Sequence, residues 1–254
     1  MAEAILEIDR LTKRFGGVVA SDAITLALAS GELHAIIGPN GAGKTTLLGQ
    51  LTGEIVPDAG DIRFAGREIT ALPVYRRSHL GLARSFQITS LFPDFTALDN
   101  AALAVQAHSG HSFRFWGNAR SDAALRAPAR IALGRVGLAG RADTLVADLS
   151  YGERRQLEIA MALATAPRLL LLDEPMAGMG PEESARLVAI LRELKGDITI
   201  LLIEHDMDAV FALSDRISVL VYGRIIASGA PVAIRADAAV RQAYLGESEG
   251  AAHN

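Results

Sequence analysis

The stretch that decides the fold is Gly38-Pro39-Asn40-Gly41-Ala42-Gly43-Lys44-Thr45-Thr46. It fits the pattern G-x-x-x-x-G-K-[ST], and it lies between a predicted strand, Leu33–Ile37, and a run at helical spacing, Lys44–Leu51. Glycines let the backbone curl until successive N–H groups point to one anion, and a helix start adds the positive end of its dipole. In such loops the lysine reaches the β- and γ-phosphates of a nucleotide, and the next hydroxyl, here on Thr45, binds Mg²⁺. The stretch therefore predicts a nucleotide-phosphate site on an α/β fold.

The last third of the chain alternates predicted strands and helices. Strand, helix, strand, helix and strand follow in the order Leu169–Asp173, Glu182–Lys195, Ile198–Ile203, Met207–Leu213 and Ile217–Val221. This alternation is typical of a parallel α/β sheet. Earlier in the chain, short strands are predicted at Ile5–Ile8, Thr25–Leu28 and Ile62–Phe64, and alanine-rich stretches predict helices over Ala97–Ala107 and Ala123–Val136.

Composition narrows the class of protein. The chain has 254 residues, of which 50% are hydrophobic and 21% charged, so a large core is available and global disorder is excluded. No cysteine is present, which excludes disulfides, thiolate zinc sites and cysteine nucleophiles. The apolar runs are far shorter than the roughly 18 residues that a membrane span needs, and the first residues, MAEAILEIDR, do not read as a signal peptide.

Charge gives little sign of a nucleic-acid partner. The formal net charge is −4, which argues against a broad surface for nucleic acids. The basic residues Arg76, Arg77 and Arg84 are predicted to form a solvated or docking face instead.

A second motif is an apolar run that ends in acids, Leu169-Leu170-Leu171-Leu172-Asp173-Glu174-Pro175. Nucleotide-binding α/β folds use such a strand to place a carboxylate near Mg²⁺ at the carboxyl edge of the sheet. We expect Asp173 to act on the metal through water, and Glu174 to polarise the attacking water as a general base. An ordinary strand end followed by a turn could have the same sequence, so the functional interpretation depends on the presence of the phosphate loop.

Three further positions carry weaker signals. In Leu149-Ser150-Tyr151-Gly152-Glu153, the pair Ser150 and Glu153 has the spacing of a capping box. The stretch is either a plain helix start or an anion-binding one, in which the Ser150 hydroxyl and the Gly152 N–H meet a γ-phosphate. Gln87 precedes the helical middle of the chain, and His205 follows the predicted strand Ile198–Ile203; a lone Gln or His is usually structural.

In this order, the motifs resemble those of the ATP-binding cassette (ABC) ATPases, and the resemblance extends to about residue 246. It implies ATP and Mg²⁺ as cofactors, with Thr45, Gln87 and Asp173 on the metal. It implies that Glu174, His205 and Gln87 are catalytic: the general base, the switch histidine and the glutamine of the Q-loop. The signature LSGGQ would be Leu149–Glu153, so that Ser150, Tyr151, Gly152 and Glu153 meet nucleotide, and Phe15 would stack on adenine rather than pack in the core.

This sequence departs from the family pattern at two positions. Tyr151 replaces the first glycine of the signature, which is tolerable if only Ser150 and Gly152 approach phosphate. Gly180 falls where the family usually carries aspartate, which puts in doubt a contact that couples two sites across a dimer.

The resemblance also implies an architecture. The fold would be α/β: a P-loop ABC ATPase core with a mostly parallel sheet, an N-terminal antiparallel β subdomain and an inserted α-helical subdomain. We predict one domain, with residues 1–90 and 165–246 in the core and β subdomain, residues 91–164 in the helical subdomain, and residues 247–254 as a frayed tail.

A narrower resemblance indicates the transport substrate. The segments GLARSFQ, LFPDFTALDN, EPMAGMGPEE and LLIEHDM are similar to those of ATP-binding subunits of branched-chain amino-acid importers. This implies transmembrane permease subunits, a second ABC ATPase subunit in a hetero- or homodimer and, indirectly, a periplasmic or extracellular substrate-binding protein. The assembly would lie at the cytoplasmic face of the inner (plasma) membrane. No nucleic acid is expected as a partner.

Other functions stay open from the sequence alone. ATP-binding subunits of urea or amide importers share much of the sequence of these segments. An exporter of lipid or lipopolysaccharide would use the same class of ATPase. A soluble ABC ATPase that acts on DNA or ribosomes would need coiled coils, metal hooks or duplicated cassettes, and the chain shows no sustained heptads. A P-loop kinase would leave Ser150–Glu153 and His205 unexplained.

Overall fold

The computed structural model describes residues 4–85, 91–109 and 122–242. In chain order its strands and helices are β1 (Ala4–Phe15), β2 (Val18–Ala29), β3 (Leu33–Ile37), α1 (Lys44–Thr52), β4 (Ala59–Phe64), β5 (Arg67–Glu68), α2 (Val74–His79), β6 (Leu82–Arg84), α3 (Ala97–His108), α4 (Ala123–Arg135), α5 (Tyr151–Leu163), β7 (Leu169–Asp173), α6 (Pro181–Leu194), β8 (Thr199–Ile203), α7 (Met207–Leu213), β9 (Arg216–Val221), β10 (Arg224–Gly229), α8 (Pro231–Ala236) and α9 (Ala238–Val240). The predicted bounds of β3, β7 and α7 are confirmed to the residue.

The described residues fall into two compact units. The first unit contains those of Met1–Arg77 and Lys195–Asn254, and the second contains those of Ser78–Leu194. The predicted limits of the helical subdomain, residues 91–164, stay a prediction, and the predicted tail lies outside the described residues.

The first unit contains antiparallel and parallel pairing. Strands β2, β1, β4 and β5 form an antiparallel sheet in that order. In the order β10-β9-β3-β8, β3 pairs in parallel with both β8 and β9, whereas β10 runs antiparallel to β9. The predictions of a parallel sheet and of an N-terminal antiparallel β region are therefore confirmed. Strands β1 and β2 are longer than predicted, since each has 12 residues.

The parallel strands of the first unit are mostly apolar because both of their faces are covered. Every residue of β3 and of β8 is buried. A buried cluster joins β3 to the helices near it and consists of Ala35, Ile37, Val210, Ile217, Val219, Ile234 and Val240. Since β3 and β8 are parallel neighbours, with Ile36 opposite Ile203, the loops that follow them leave from the same edge.

The second unit pairs β6 with β7 in parallel, with Leu82 opposite Leu169. Helices α3, α4 and α5 pack against one another in this unit, and the side chain of Thr96 caps α3 by accepting from Asp99 N at 3.1 Å. The helices predicted in this part of the chain are therefore confirmed.

Within the described ranges, no helix is long and apolar enough to cross a membrane.

Arg77 is buried in the first unit, so its prediction as part of a solvated or docking face is wrong. The residue is 1% exposed. Nη1 donates to the carbonyls of Gln50 and Leu51 at 2.7 and 2.8 Å, and Nη2 and Nε each donate at 2.8 Å, to Thr70 and Leu72. Burial lowers the pKa of Arg77 to about 10, so the group is still charged at neutral pH. It thereby caps the C-terminal end of α1, whose last carbonyls have no donor within the helix.

Replacing Arg77 with leucine is expected to lower the free energy of unfolding by about 3 kcal/mol, because several buried carbonyls lose their donor together. Urea unfolding followed by circular dichroism measures this change. Arg76→Leu, one position earlier and exposed, is the matched control and should change stability by less than about 0.5 kcal/mol. Equal stability of the two variants would contradict the role given to Arg77.

Candidate active site

The loop between β3 and α1 fits its surroundings only because glycines form it. Gly43 has a φ of +104°, in the left-handed region that favours glycine. A Cβ atom on Gly43 would collide with the carbonyl oxygen of Ala20, and one on Gly38 would collide with that of Leu220. The backbone therefore curls close to β2 and β9, as the sequence pattern requires.

Lys44 and Thr45 begin α1, directly after this turn. The Lys44 side chain is buried, and its ammonium donates to the carbonyls of Gly38 at 2.6 Å and Pro39 at 3.0 Å. Gly43, at the N-cap, has no side chain with which to cap the helix, and Thr45 is exposed beside it. An ammonium and the first N–H groups of a helix together suit a phosphate, and an exposed hydroxyl suits its Mg²⁺.

The turn between β9 and β10 supports the phosphate loop. The N–H of Gly223 donates to the Ala42 carbonyl at 2.9 Å, and the Gly223 carbonyl accepts from Asp22 N at 2.9 Å. Asp22 also pairs with Arg224 through a 2.7 Å bond to its Nε. In the sequence, this support is indicated by no more than the Tyr222-Gly223 turn, which lies more than 170 residues beyond the loop.

His205 follows β8 in the first unit, where its backbone is held by its neighbours. The buried carboxylate of Glu204 accepts from His205 N at 2.8 Å and from Asp206 N at 3.3 Å. Asp206 in turn caps α7, because its Oδ1 accepts from Ala209 N at 3.1 Å. The His205 residue itself is exposed, at the strand edge from which the phosphate loop also leaves. Glu204 was not identified as a supporting residue from the sequence.

Phe15 ends β1 on the surface of the first unit. It pairs across the hairpin with Val18, and it is 50% exposed. The Lys13 ammonium lies 5.4 Å from the centre of the ring. An exposed ring offers a face to a planar group, whereas a core phenylalanine would have none free. Stacking on adenine is therefore the interpretation that its position favours.

Asp173 ends β7 in the second unit, and Glu174 follows it. Asp173 is buried, and its Oδ2 accepts from Arg84 Nη2 at 3.0 Å, so the prediction of Arg84 as a solvated or docking residue is wrong. Glu174 has a φ of 46°, a left-handed conformation that costs a residue other than glycine about 1–3 kcal/mol. A turn holds it there, since Ala177 N donates to the Glu174 carbonyl at 3.1 Å.

Ser150 and Glu153 form the predicted capping box at the start of α5. Ser150 Oγ accepts from Glu153 N at 3.2 Å, and Glu153 Oε2 accepts from Ser150 N at 2.8 Å. Arg141 lies 2.9 Å from the other carboxylate oxygen of Glu153. The Gly152 N–H donates to Glu183 Oε1 at 3.2 Å, so a carboxylate occupies this helix start. No sequence pattern indicates this role for Glu183, which comes from α6.

The predicted site residues thus fall into two groups, one in each unit. Lys44, Thr45 and His205 belong to the first unit, and Ser150–Glu153, Asp173 and Glu174 belong to the second. Gln87 lies outside the described residues. Across the part of the chain that the structure describes, no three His, Cys, Asp or Glu residues form a cluster that would hold a metal by itself.

Two family descriptions match the sequence. "ABC transporter" matches residues 21–177. "Branched-chain amino acid ATP-binding cassette transporter" matches residues 224–250. The first match includes the phosphate loop and the start of α5, and the second begins with β10.

Relatives and solved structures agree with these matches. The chain is 40% identical over 255 residues to the high-affinity branched-chain amino acid transport ATP-binding protein BraF of Pseudomonas aeruginosa, covering 98% of this chain and 100% of that one. It is 39% identical over 260 residues to the corresponding protein LivG of Escherichia coli K12, again with 98% and 100% covered. The crystal structure of the ADP conformation of MJ1267, an ATP-binding cassette of an ABC transporter, has a TM-score of 0.86 at 29% identity, covering 96% and 100%.

Proposed function

This chain belongs to the ABC transporter family, and we propose that it is the ATP-hydrolysing subunit of an importer of branched-chain amino acids. The observation that carries the substrate class is the match at residues 224–250 together with identity along the whole length of BraF and LivG. The geometry that carries nucleotide binding is the phosphate loop, with the Lys44 ammonium at the start of α1.

The binding step follows from the chemistry of the first unit. The Lys44 ammonium leaves its loop carbonyls for the β- and γ-phosphates. Backbone N–H groups of the loop Gly38–Thr46, in which Pro39 has none, bind the remaining oxygens. Phe15 stacks on adenine. Thr45, Asp173 and Gln87 would hold Mg²⁺, which when bound neutralises charge on the phosphates.

The hydrolysis step is assigned to Glu174 and His205. Glu174 polarises the water that attacks the γ-phosphate, and His205 contacts that phosphate. Ser150, Tyr151, Gly152 and Glu153 of a second cassette would cover the nucleotide, so that two cassettes close on ATP and reopen after hydrolysis. We place this motor at the cytoplasmic face of the inner membrane, bound to permease subunits that receive substrate from a binding protein.

Uptake of radiolabelled leucine tests the substrate class. The chain is reconstituted in proteoliposomes with the permeases, the second cassette and the binding protein that its neighbouring genes encode. We expect ATP-dependent leucine uptake that unlabelled isoleucine and valine suppress and that urea and ribose leave unchanged. ATP-dependent uptake of urea without leucine uptake would contradict the proposal, as would an assembly that recovers only ribosomes or DNA with the chain.

A further inference from the structure

Tyr151, where the family signature has glycine, touches the loop that follows the Asp173–Glu174 pair. Its hydroxyl donates to the carbonyl oxygen of Ala177 at 3.0 Å. The ring also covers Gly178, where an added Cβ would lie 3.4–3.6 Å from ring atoms and the hydroxyl oxygen of Tyr151. A glycine at position 151 would have no side chain with which to make either contact. The departure from the signature therefore adds a link within the second unit.

The Tyr151 hydroxyl is held in place by its own helix. Arg155 donates to that oxygen from Nε at 3.2 Å and from Nη2 at 3.0 Å. Its Nη1 binds Glu158 Oε2 at 3.0 Å. Burial raises the pKa of Glu158, and the bond from Arg155 opposes that rise. With the guanidinium as donor, the hydroxyl proton is left to point to Ala177.

From Ala177 the link continues to Glu174. The Ala177 N–H closes a turn on the Glu174 carbonyl at 3.1 Å, and Glu174 is the residue with the unfavourable φ of 46°. A strained conformation persists only where surrounding contacts fix it. Tyr151 binds the carbonyl of Ala177, and the N–H of Ala177 binds the carbonyl of Glu174. Two consecutive hydrogen bonds therefore connect Tyr151 to the backbone of the general base.

A second contact binds the same loop to the start of α5. The Glu183 carboxylate accepts from Gly152 N at 3.2 Å and from Gly180 N at 3.4 Å. Gly180 is the other position at which the sequence departs from the family. Both ends of the segment from Ala177 to Gly180 are therefore attached to α5, one through Tyr151 and one through Glu183.

We infer that Tyr151 is a positioning residue for ATP hydrolysis, because its hydroxyl, through Ala177, holds Glu174 in the conformation from which that carboxylate activates water. The inference rests on the proposed function, in which Glu174 is the general base. It deepens that proposal by linking the part of one subunit that covers nucleotide to the catalytic carboxylate of the same subunit.

Tyr151→Phe tests the inference, since it removes one oxygen and keeps the ring on Gly178. We expect kcat for MgATP hydrolysis to fall about fivefold, the effect on a rate of losing the neutral hydrogen bond to Ala177, while KM stays within about twofold. Tyr222→Phe is the matched control, because Tyr222 is 81% exposed and lies in the first unit, and its kcat should not change. Titration with a fluorescent ATP analogue gives the concentration of folded sites, and kcat is calculated per folded site.

A double-mutant cycle separates positioning from general loosening of the structure. If Tyr151 acts through Glu174, Tyr151→Phe has no further effect on the residual rate of Glu174→Gln. A fivefold loss in both backgrounds would overturn the inference, and so would a raised KM with an unchanged kcat, which would assign Tyr151 to nucleotide binding. These results differ from failure of the proposed function itself, which would appear as absent hydrolysis by the wild-type chain.

Discussion

Glu174→Gln lowers ATP turnover at least about 100-fold, the lower end of what a positioned general base contributes, while MgATP still binds. Glutamine has nearly the same shape as glutamate but cannot take a proton from water. Glu174 is half-buried and held at a φ of 46°, so the replacement should keep its place on the turn. Steady-state phosphate release measures turnover, and equilibrium titration with a fluorescent ATP analogue measures binding.

Closure of the cassette pair gives this variant a second readout. Since ATP binds but is not cleaved, Glu174→Gln with MgATP should elute as a dimer in size-exclusion chromatography. Glu182→Gln makes the same chemical change at an exposed position on α6, and its turnover should stay within about twofold of wild type. Phosphate release by Glu174→Gln at the wild-type rate would refute the assignment of the general base.

Lys44→Ala weakens ATP binding at least about 100-fold, because the phosphates lose a charge-assisted donor. The ammonium already lies within the loop, 2.6 Å from the Gly38 carbonyl, so little rearrangement brings it to phosphate. Isothermal titration calorimetry with MgATP measures the change in Kd, and urea unfolding confirms that the variant is folded.

Lys195→Ala is the matched control for the loss of a lysine. Lys195 binds the Leu213 carbonyl at 3.0 Å and Asp215 at 2.7 Å, which are contacts within the first unit that involve no phosphate-loop residue. Its removal should cost at most about 1 kcal/mol of stability and leave the Kd for ATP unchanged. An ATP affinity of Lys44→Ala within threefold of wild type would show that the loop binds nucleotide by other means.

Those parts of the fold that depend on residues close together in the sequence could be predicted from it. Two strands, Leu33–Ile37 and Leu169–Asp173, are apolar runs bounded by turn residues. The positions of those turn residues predict where each strand begins and ends. The phosphate loop is equally local, because its glycines, lysine and threonine are consecutive. The capping box at Ser150 and Glu153 needs only a spacing of three residues.

Contacts between distant residues could not be predicted in the same way. Arg77 donates to carbonyls up to 27 positions away, and nothing in its own neighbourhood distinguishes it from the exposed Arg76. Tyr151 and Ala177 are 26 residues apart, and Gly152 and Glu183 are 31 apart. Each of these bonds depends on how two elements pack, and a one-sequence pattern contains no information on that packing. The sequence therefore marked Tyr151 as unusual without indicating its role.

Whether ATP hydrolysis by this chain drives uptake is decided by recording phosphate release and leucine accumulation in the same proteoliposomes. Wild-type chain and Glu174→Gln are each assembled with the same permeases, second cassette and binding protein. The proposal predicts that both signals are present with wild type and that both fall together in the variant. Leucine accumulation that persists after Glu174→Gln has stopped phosphate release from this chain would contradict it.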